Sequence, residues 1–203
     1  GGTEEGKTIN LRLAQAAQRL GVGMGVGSQR VGIERPQLMH TFQVRSVAPD
    51  ILLLGNLGLV QLNYGYGLPE CLRAVESIGA DALALHVNAF QEAVQPEGDV
   101  DFRGLFEKLD RLSAAFPYPL LVKEVGFGIS AQVAARLAQT RVQAIDVAGS
   151  GGTNWAIVEG LRRERVLSPR KRAFYSQWGI PTVQTLKETR AACPEKVILA
   201  SGG

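Results

Sequence analysis

Near-continuous apolar runs alternate with amphipathic stretches along the whole chain. The runs occupy residues 21–27, 51–55, 82–87, 119–125, 144–148 and 197–200, and their starts lie 25 to 53 residues apart. Unbroken apolar runs of this length mark strands covered on both faces, as in a parallel sheet. Between them the apolar positions take a helical period. Ile9, Leu13, Ala16, Ala17 and Leu20 recur on one helix face, with Gly21 placed to end that helix in a left-handed conformation. Pro36 and Pro69 stand at helix starts, before Leu38 and Phe42 and before Leu72 and Val75. Leu105, Phe106, Leu109 and Leu112 make a further face, and Ser130 and Thr182 are placed as N-caps of two later helices.

Repeated strand–helix units at this spacing predict a parallel α/β sheet, either doubly wound or closed into a (β/α)8 barrel. Two features favour the barrel. No GxGxxG turn follows a first strand, and polar or Gly-rich clusters follow nearly every strand instead of one switch point. Six strands are legible, two fewer than eight. The expectation is therefore an α/β TIM (β/α)8 barrel, incomplete because its first and last strands are missing. Residues 1–203 would then be a single domain and a fragment of a longer enzyme.

Composition narrows the class. The 203 residues are 45% hydrophobic and 20% charged, with a mean hydropathy of +0.03, which suits a chain with a sizeable core and not a disordered one. No apolar run reaches the roughly 18 residues of a membrane span, and no secretory or transit leader opens the chain. Cys71 and Cys193 lie in no CxxC or metal-ligand spacing. A reduced, cytoplasmic setting with no membrane partner is expected. The formal net charge is +3, and residues 162–172 alone carry Arg162, Arg163, Arg165, Arg170, Lys171 and Arg172 against Glu164. That segment has no interleaved aromatics to stack on bases, which points away from nucleic acid. Residues 162–178 are expected to form a flexible loop, solvated, closing over an anionic substrate, or part of an interface.

In a parallel barrel the chemistry sits at the C-terminal strand ends. Those ends read Gly27-Ser28-Gln29-Arg30, Gly55-Asn56-Leu57-Gly58, His86-Val87-Asn88, Lys123-Glu124, residues 146–153 and Ser201-Gly202-Gly203. The Gly149-to-Thr153 stretch opens a helix, so bare backbone N–H groups and a helix N-terminus offer a phosphate cradle; the alternative is a set of tight turns. Ser201-Gly202-Gly203 is placed as its second half. Lys123 follows three apolar residues and reads as a Schiff-base amine, a fixed cation beside an anionic cofactor, or a lysine reaching solvent. His86 and Asn88, two apart on an extended strand, share a face, with Gln91 and Glu92 in the loop beyond. One carboxylate with amides and an imidazole suits Mg²⁺, which keeps waters and takes substrate phosphates. His40, beside Met39 and Phe42, reads as structural. Asp146 reads as a brace for the following turn, and Glu124 as a contact on the opposite strand face from Lys123.

Taken together, these strings resemble the type 2, FMN-dependent isopentenyl-diphosphate isomerases. The matching pieces run in order over the whole chain: Gly1-Gly2, residues 27–30, Asn56-Leu57-Gly58, His86-Val87-Asn88 with Gln91-Glu92, residues 122–126, residues 146–155, residues 179–182 and residues 200–203. The resemblance implies FMN contacts at Ser28, Asn56, Lys123 and Thr153, with Gly151, Gly152, Gly202 and Gly203 near the flavin phosphate. It implies substrate contacts at Ser28, Gln29, Arg30, His86, Asn88, Gln91 and Trp155, catalytic roles for Gln91 and His86, and Mg²⁺ on Glu92. The implied reaction interconverts isopentenyl and dimethylallyl diphosphate by acid–base allylic isomerisation in isoprenoid biosynthesis, with reduced FMN, Mg²⁺ and NADPH as reductant. A homo-oligomer, tetramer or octamer, is implied as well. Two alternatives stand beside it: an FMN-dependent 2-hydroxy-acid oxidase or dehydrogenase, which shares the barrel and the phosphate loops, and a non-catalytic flavin-binding barrel.

Overall fold

The computed structural model describes residues 1–164 and 166–203. It is an α/β fold whose six strands lie in one sheet in chain order, β1-β2-β3-β4-β5-β6. The strands are β1 (Met24–Gly25), β2 (Leu53–Gly58), β3 (Ala82–Val87), β4 (Leu120–Glu124), β5 (Ala144–Asp146) and β6 (Val197–Leu199). Each overlaps one of the six apolar runs, β2 continuing three residues past its run. The order never reverses, which separates this sheet from a doubly wound one, where it turns back at a switch point. Among the described residues no helix is long and apolar enough to cross a membrane. The chain divides into two compact units, Gly1–Leu85 with Ala115–Leu121 and His86–Ala114 with Val122–Gly203.

The first unit opens with α1 (Glu4–Leu20). Thr3 caps it by accepting from the Gly6 N–H at 3.0 Å, and Gly21 ends it at φ 64°, where a β-carbon would be strained. The face that α1 buries shares only Ala17 with the expected stripe. Asn10, Ala14 and Ala17 are buried, whereas Ile9, Leu13 and Leu20 are exposed. Small residues let the helix approach closely, and Asn10 enters because its amide donates to the Thr41 carbonyl at 3.0 Å. Pro36 begins a 3-10 helix, Pro36–Phe42, in place of an α-helix. His40 there is structural: Nδ1 donates to the Gln37 carbonyl at 2.8 Å, and Nε2 meets the Glu4 carboxylate at 2.7 Å. The strands pair in parallel, Met24 beside Leu53 and Gly25 beside Leu54. After β2 comes α3 (Leu68–Glu76), whose Cys71, Ala74 and Val75 are buried. Phe42, Leu53, Leu57, Leu83, Leu85 and Leu120 are almost fully buried, each side chain contributing about 1.5–3 kcal/mol.

The second unit carries α4 (Ala89–Val94), most of α5 (Leu105–Ala115), α6 (Ala131–Ala138), α7 (Trp155–Glu164), α8 (Pro169–Gln177) and α9 (Thr182–Ala192). Ser130 caps α6 by accepting from the Val133 N–H at 3.3 Å. Thr182 is not a cap: α9 starts on it, with Pro181 in the capping position. Strand β5 pairs in parallel with β6, Ile145 beside Ile198. Thr185 of α9 donates to the Ile129 carbonyl at 2.6 Å and accepts from the Ile129 N–H at 2.9 Å, seating α9 at the head of α6.

The span expected as a loop, 162–178, is largely helical. Arg162, Arg163 and Glu164 close α7, and Arg170, Lys171 and Arg172 lie on α8, capped by Ser168. Aromatic packing gives the reason: Phe90 stacks on Trp178 with centroids 4.8 Å apart and meets Phe174 and Tyr175 edge-on at 6.0 and 5.5 Å. Arg165 lies outside the described residues.

Candidate active site

In the first unit, Ser28, Gln29 and Arg30 follow β1, and Arg30 begins the short helix α2 (Arg30–Glu34). Ser28 is exposed. Arg30 is half-buried, its guanidinium 2.7 Å from the Glu34 carboxylate. Gln29 is fully buried, and its amide is engaged within the protein. Its Oε1 accepts from the Asn56 N–H at 2.8 Å, its Nε2 donates to the Ala74 carbonyl at 2.8 Å, and Met39 Sδ lies 3.7 Å from the same nitrogen. The Gln29 N–H also donates to the Asn56 carbonyl at 2.8 Å. In this geometry the side chain latches the end of β1 to β2 and α3. Asn56 lies within β2, not beyond it, and its Nδ2 donates to the Val26 carbonyl at 3.0 Å.

In the second unit, the alternation that would place His86 and Asn88 on one strand face stops at Val87. Asn88 has left the extended conformation (φ −131°, ψ 42°) and stands as the N-cap of α4. Gln91 and Glu92 lie on α4, not in a loop. One helical turn therefore joins Asn88 to Glu92, with Asn88 Nδ2 donating to Glu92 Oε1 at 2.7 Å. The Asp99 N–H donates to Glu92 Oε2 at 2.8 Å. Asn88 Oδ1 is buried with no hydrogen-bond partner. An orphaned acceptor costs about 1–3 kcal/mol and suits a ligand hydroxyl, a cation or its water. Gln91 Nε2 donates to Glu159 Oε1 at 3.1 Å, and Glu159 on α7 is buried and paired with Arg162 at 3.0 Å. Sequence reasoning missed Glu159; its signal is a carboxylate set among the apolar residues that open α7. His86 is half-buried in β3. Among the described residues no group of three or more His, Cys, Asp or Glu converges as a metal site.

Lys123, next to last in β4, is half-buried, with Nζ donating to the Glu124 carbonyl at 2.9 Å. Burial pushes the amine below the ordinary lysine value, while the negative charges of Asp146 and Glu124 pull it back up. Glu124 is buried, and its carboxylate accepts from the N–H groups of Val125, Gly126 and Phe127. Asp146 braces the next turn by accepting from the Ala148 N–H at 3.2 Å and from the Ser201 hydroxyl.

The loops after β5 and β6 run against each other: the Gly149 N–H donates to the Ser201 carbonyl at 3.0 Å, and Gly149 bridges Gly202. A β-carbon on Gly152 would lie 3.3 Å from Gly203 backbone atoms, so close loop packing accounts for these glycines. Gly151, Gly152, Thr153, Gly202 and Gly203 stay exposed, which leaves their surface open to an anion. Trp155, the first residue of α7, is also exposed. Asn154 Oδ1 accepts from the Ile157 N–H at 3.0 Å, capping α7 behind the glycines.

No protein-family model matches the chain. Over its full 203 residues it is 52% identical to the isopentenyl-diphosphate delta-isomerase of Nostoc sp., covering 58% of that protein. It is 54% identical to the isopentenyl-diphosphate delta-isomerase of Synechocystis sp., again over 58% of the relative. To that of Stutzerimonas stutzeri it is 50% identical, over 59% of the relative. The chain thus spans a little under three fifths of the curated relatives it matches.

Proposed function

We propose that this chain is the greater part of an isopentenyl-diphosphate delta-isomerase of the FMN-dependent, type 2 kind, acting in isoprenoid biosynthesis. The observation that carries the reading is identity near 50% over all 203 residues to proteins named isopentenyl-diphosphate delta-isomerase, in a chain whose polar groups gather where β3 meets α4. The reaction converts isopentenyl to dimethylallyl diphosphate: one proton joins the terminal alkene carbon and one leaves C2, with no net change of electrons. FMN, when bound and reduced by NADPH, would supply an electron-rich ring able to stabilise a developing tertiary cation.

The chain's own residues take the remaining roles. Lys123, a half-buried cation, suits the flavin's negatively charged pyrimidine edge, and Ser28, Asn56 and Thr153 are the further contacts that the resemblance implies. The open Gly151-Gly152 surface beside Gly202 and Gly203 fits its phosphate. Asn88 holds Glu92 in place and keeps a buried, unfilled acceptor. Glu92 would hold Mg²⁺ together with diphosphate oxygens and waters, since Mg²⁺ takes one or two carboxylates and completes its shell from substrate and solvent. In the second unit His86 and Asn88, and in the first the Arg30 fork, each offer donors that match diphosphate oxygens. Gln91, oriented by Glu159, is set to orient or relay a proton at the alkene. A homo-oligomer, and closure of the sheet into a (β/α)8 barrel by further strands, belong to the same reading.

The deciding assay uses the full-length protein with isopentenyl diphosphate, Mg²⁺, FMN and NADPH, following dimethylallyl diphosphate and NADPH separately. Product without stoichiometric NADPH loss is expected, and Glu92→Gln should lose Mg²⁺ dependence and substrate affinity. Flavin reduced by a hydroxy acid with no isomer formed would establish an oxidase instead. Flavin bound with no turnover would leave a binding protein.

A further inference from the structure

We propose that Glu124 is the positioning residue for the Lys123 ammonium, building the turn after β4 and holding the amine there as a cation. This role presupposes that Lys123 faces the flavin, as proposed above. A single carboxylate oxygen, Glu124 Oε2, accepts from the N–H groups of Val125, Gly126 and Phe127 at 2.6, 2.9 and 2.6 Å. Successive amides converging on one point form an anion-binding nest, here filled by the chain's own side chain. The Glu124 carbonyl in turn accepts from Lys123 Nζ at 2.9 Å. The residue that shapes the turn therefore also anchors the amine. Its neighbours are tied in as well. Gly126 has φ 130°, and a β-carbon there would lie 2.9 Å from the Thr153 carbonyl; the Phe127 carbonyl accepts from the Ile180 N–H at 2.8 Å.

A glutamine could fill such a nest as an acceptor without the cost of burying a charge. The carboxylate differs from it in what it does for Lys123. Burial drives the amine toward its neutral form, and the groups that oppose this are Asp146 on β5 and Glu124 itself. Burial likewise pushes the Glu124 carboxyl up to about 7, against the pull of the three N–H groups and of Lys123. With its value at about 7, the carboxyl is ionised above that pH, and there its charge adds to that of Asp146 in supporting the neighbouring cation.

The test uses the full-length protein as wild type and Glu124→Gln, which keeps an acceptor for the nest and deletes the charge. The Lys123 amine is titrated by NMR of ¹³Cε-labelled lysine without flavin, and FMN affinity is measured from pH 5.5 to 9 by flavin fluorescence. In Glu124→Gln, Lys123 is expected to titrate at lower pH than in wild type. FMN binding is expected to weaken about tenfold above pH 7 and hardly at all below pH 6, roughly the loss of one charge interaction. The ratio of the two affinities isolates Glu124 from the titration of the flavin phosphate, which both proteins share. An unchanged Lys123 titration with a flat ratio overturns the proposal. If the variant does not fold, the wild-type Lys123 resonance still decides: an inflection near pH 7 supports the role and a flat trace there overturns it. Absence of FMN binding by wild type sinks the flavin reading separately, while the Lys123 titration still judges Glu124.

Discussion

Gln29 shows how one side chain can look like a ligand and act as a latch. Its neighbours Ser28 and Arg30 reach solvent at least in part, but its own amide joins Asn56 to Ala74 with no exposed surface. Gln29→Ala should leave the Asn56 N–H and the Ala74 carbonyl without their partner and cost about 1–3 kcal/mol, measured by urea denaturation of the full-length protein. A residue used only to bind substrate would leave stability unchanged and raise KM alone. Glu124 makes the opposite kind of prediction. Its carboxyl sits at about 7 in the folded chain against 4.5 ordinarily, so the native state binds the extra proton between those values. Its contribution to stability therefore falls as pH rises from 4.5 through 7, by up to about 3 kcal/mol. Glu124→Gln removes that slope. The variant's melting temperature should exceed wild type at pH 8, and the gap should close by pH 4.5.

At the scale of elements, hydrophobic period and burial part company on α1. Of the expected stripe, Ile9, Leu13, Ala16 and Leu20 face outward and only Ala17 is buried, together with Asn10 and Ala14. In the 203-residue chain, Leu13→Gln should therefore change stability by no more than about 0.5 kcal/mol. Ala14→Leu should cost about 1–3 kcal/mol through overpacking. Thermal denaturation of the two variants separates the faces, and the reverse ranking would restore the period as the guide. Helix α4 was hidden for a different reason. Six residues hold too few turns for a period to show, and Asn88, which ends the strand pattern, is also the residue that starts the helix. Helix α8 escaped because its charged residues mask the aromatic side that packs on Phe90.

For the whole molecule, the six apolar runs and their spacing determined a parallel α/β sheet, because only strands covered on both faces read as unbroken apolar runs. The ordered strings at the strand ends determined which residues to inspect, since chemistry in such sheets gathers at those ends. Tertiary structure alone decided the rest. That the strands lie in chain order is a matter of pairing between segments far apart in sequence. So is the assignment of Gln29 to a latch, of Glu159 to Gln91, and of Glu124 to the amides beyond it and to Lys123. A polar residue's type is written in the chain, but whether it meets solvent, ligand or another polar group depends on what folding brings within about 3 Å of it.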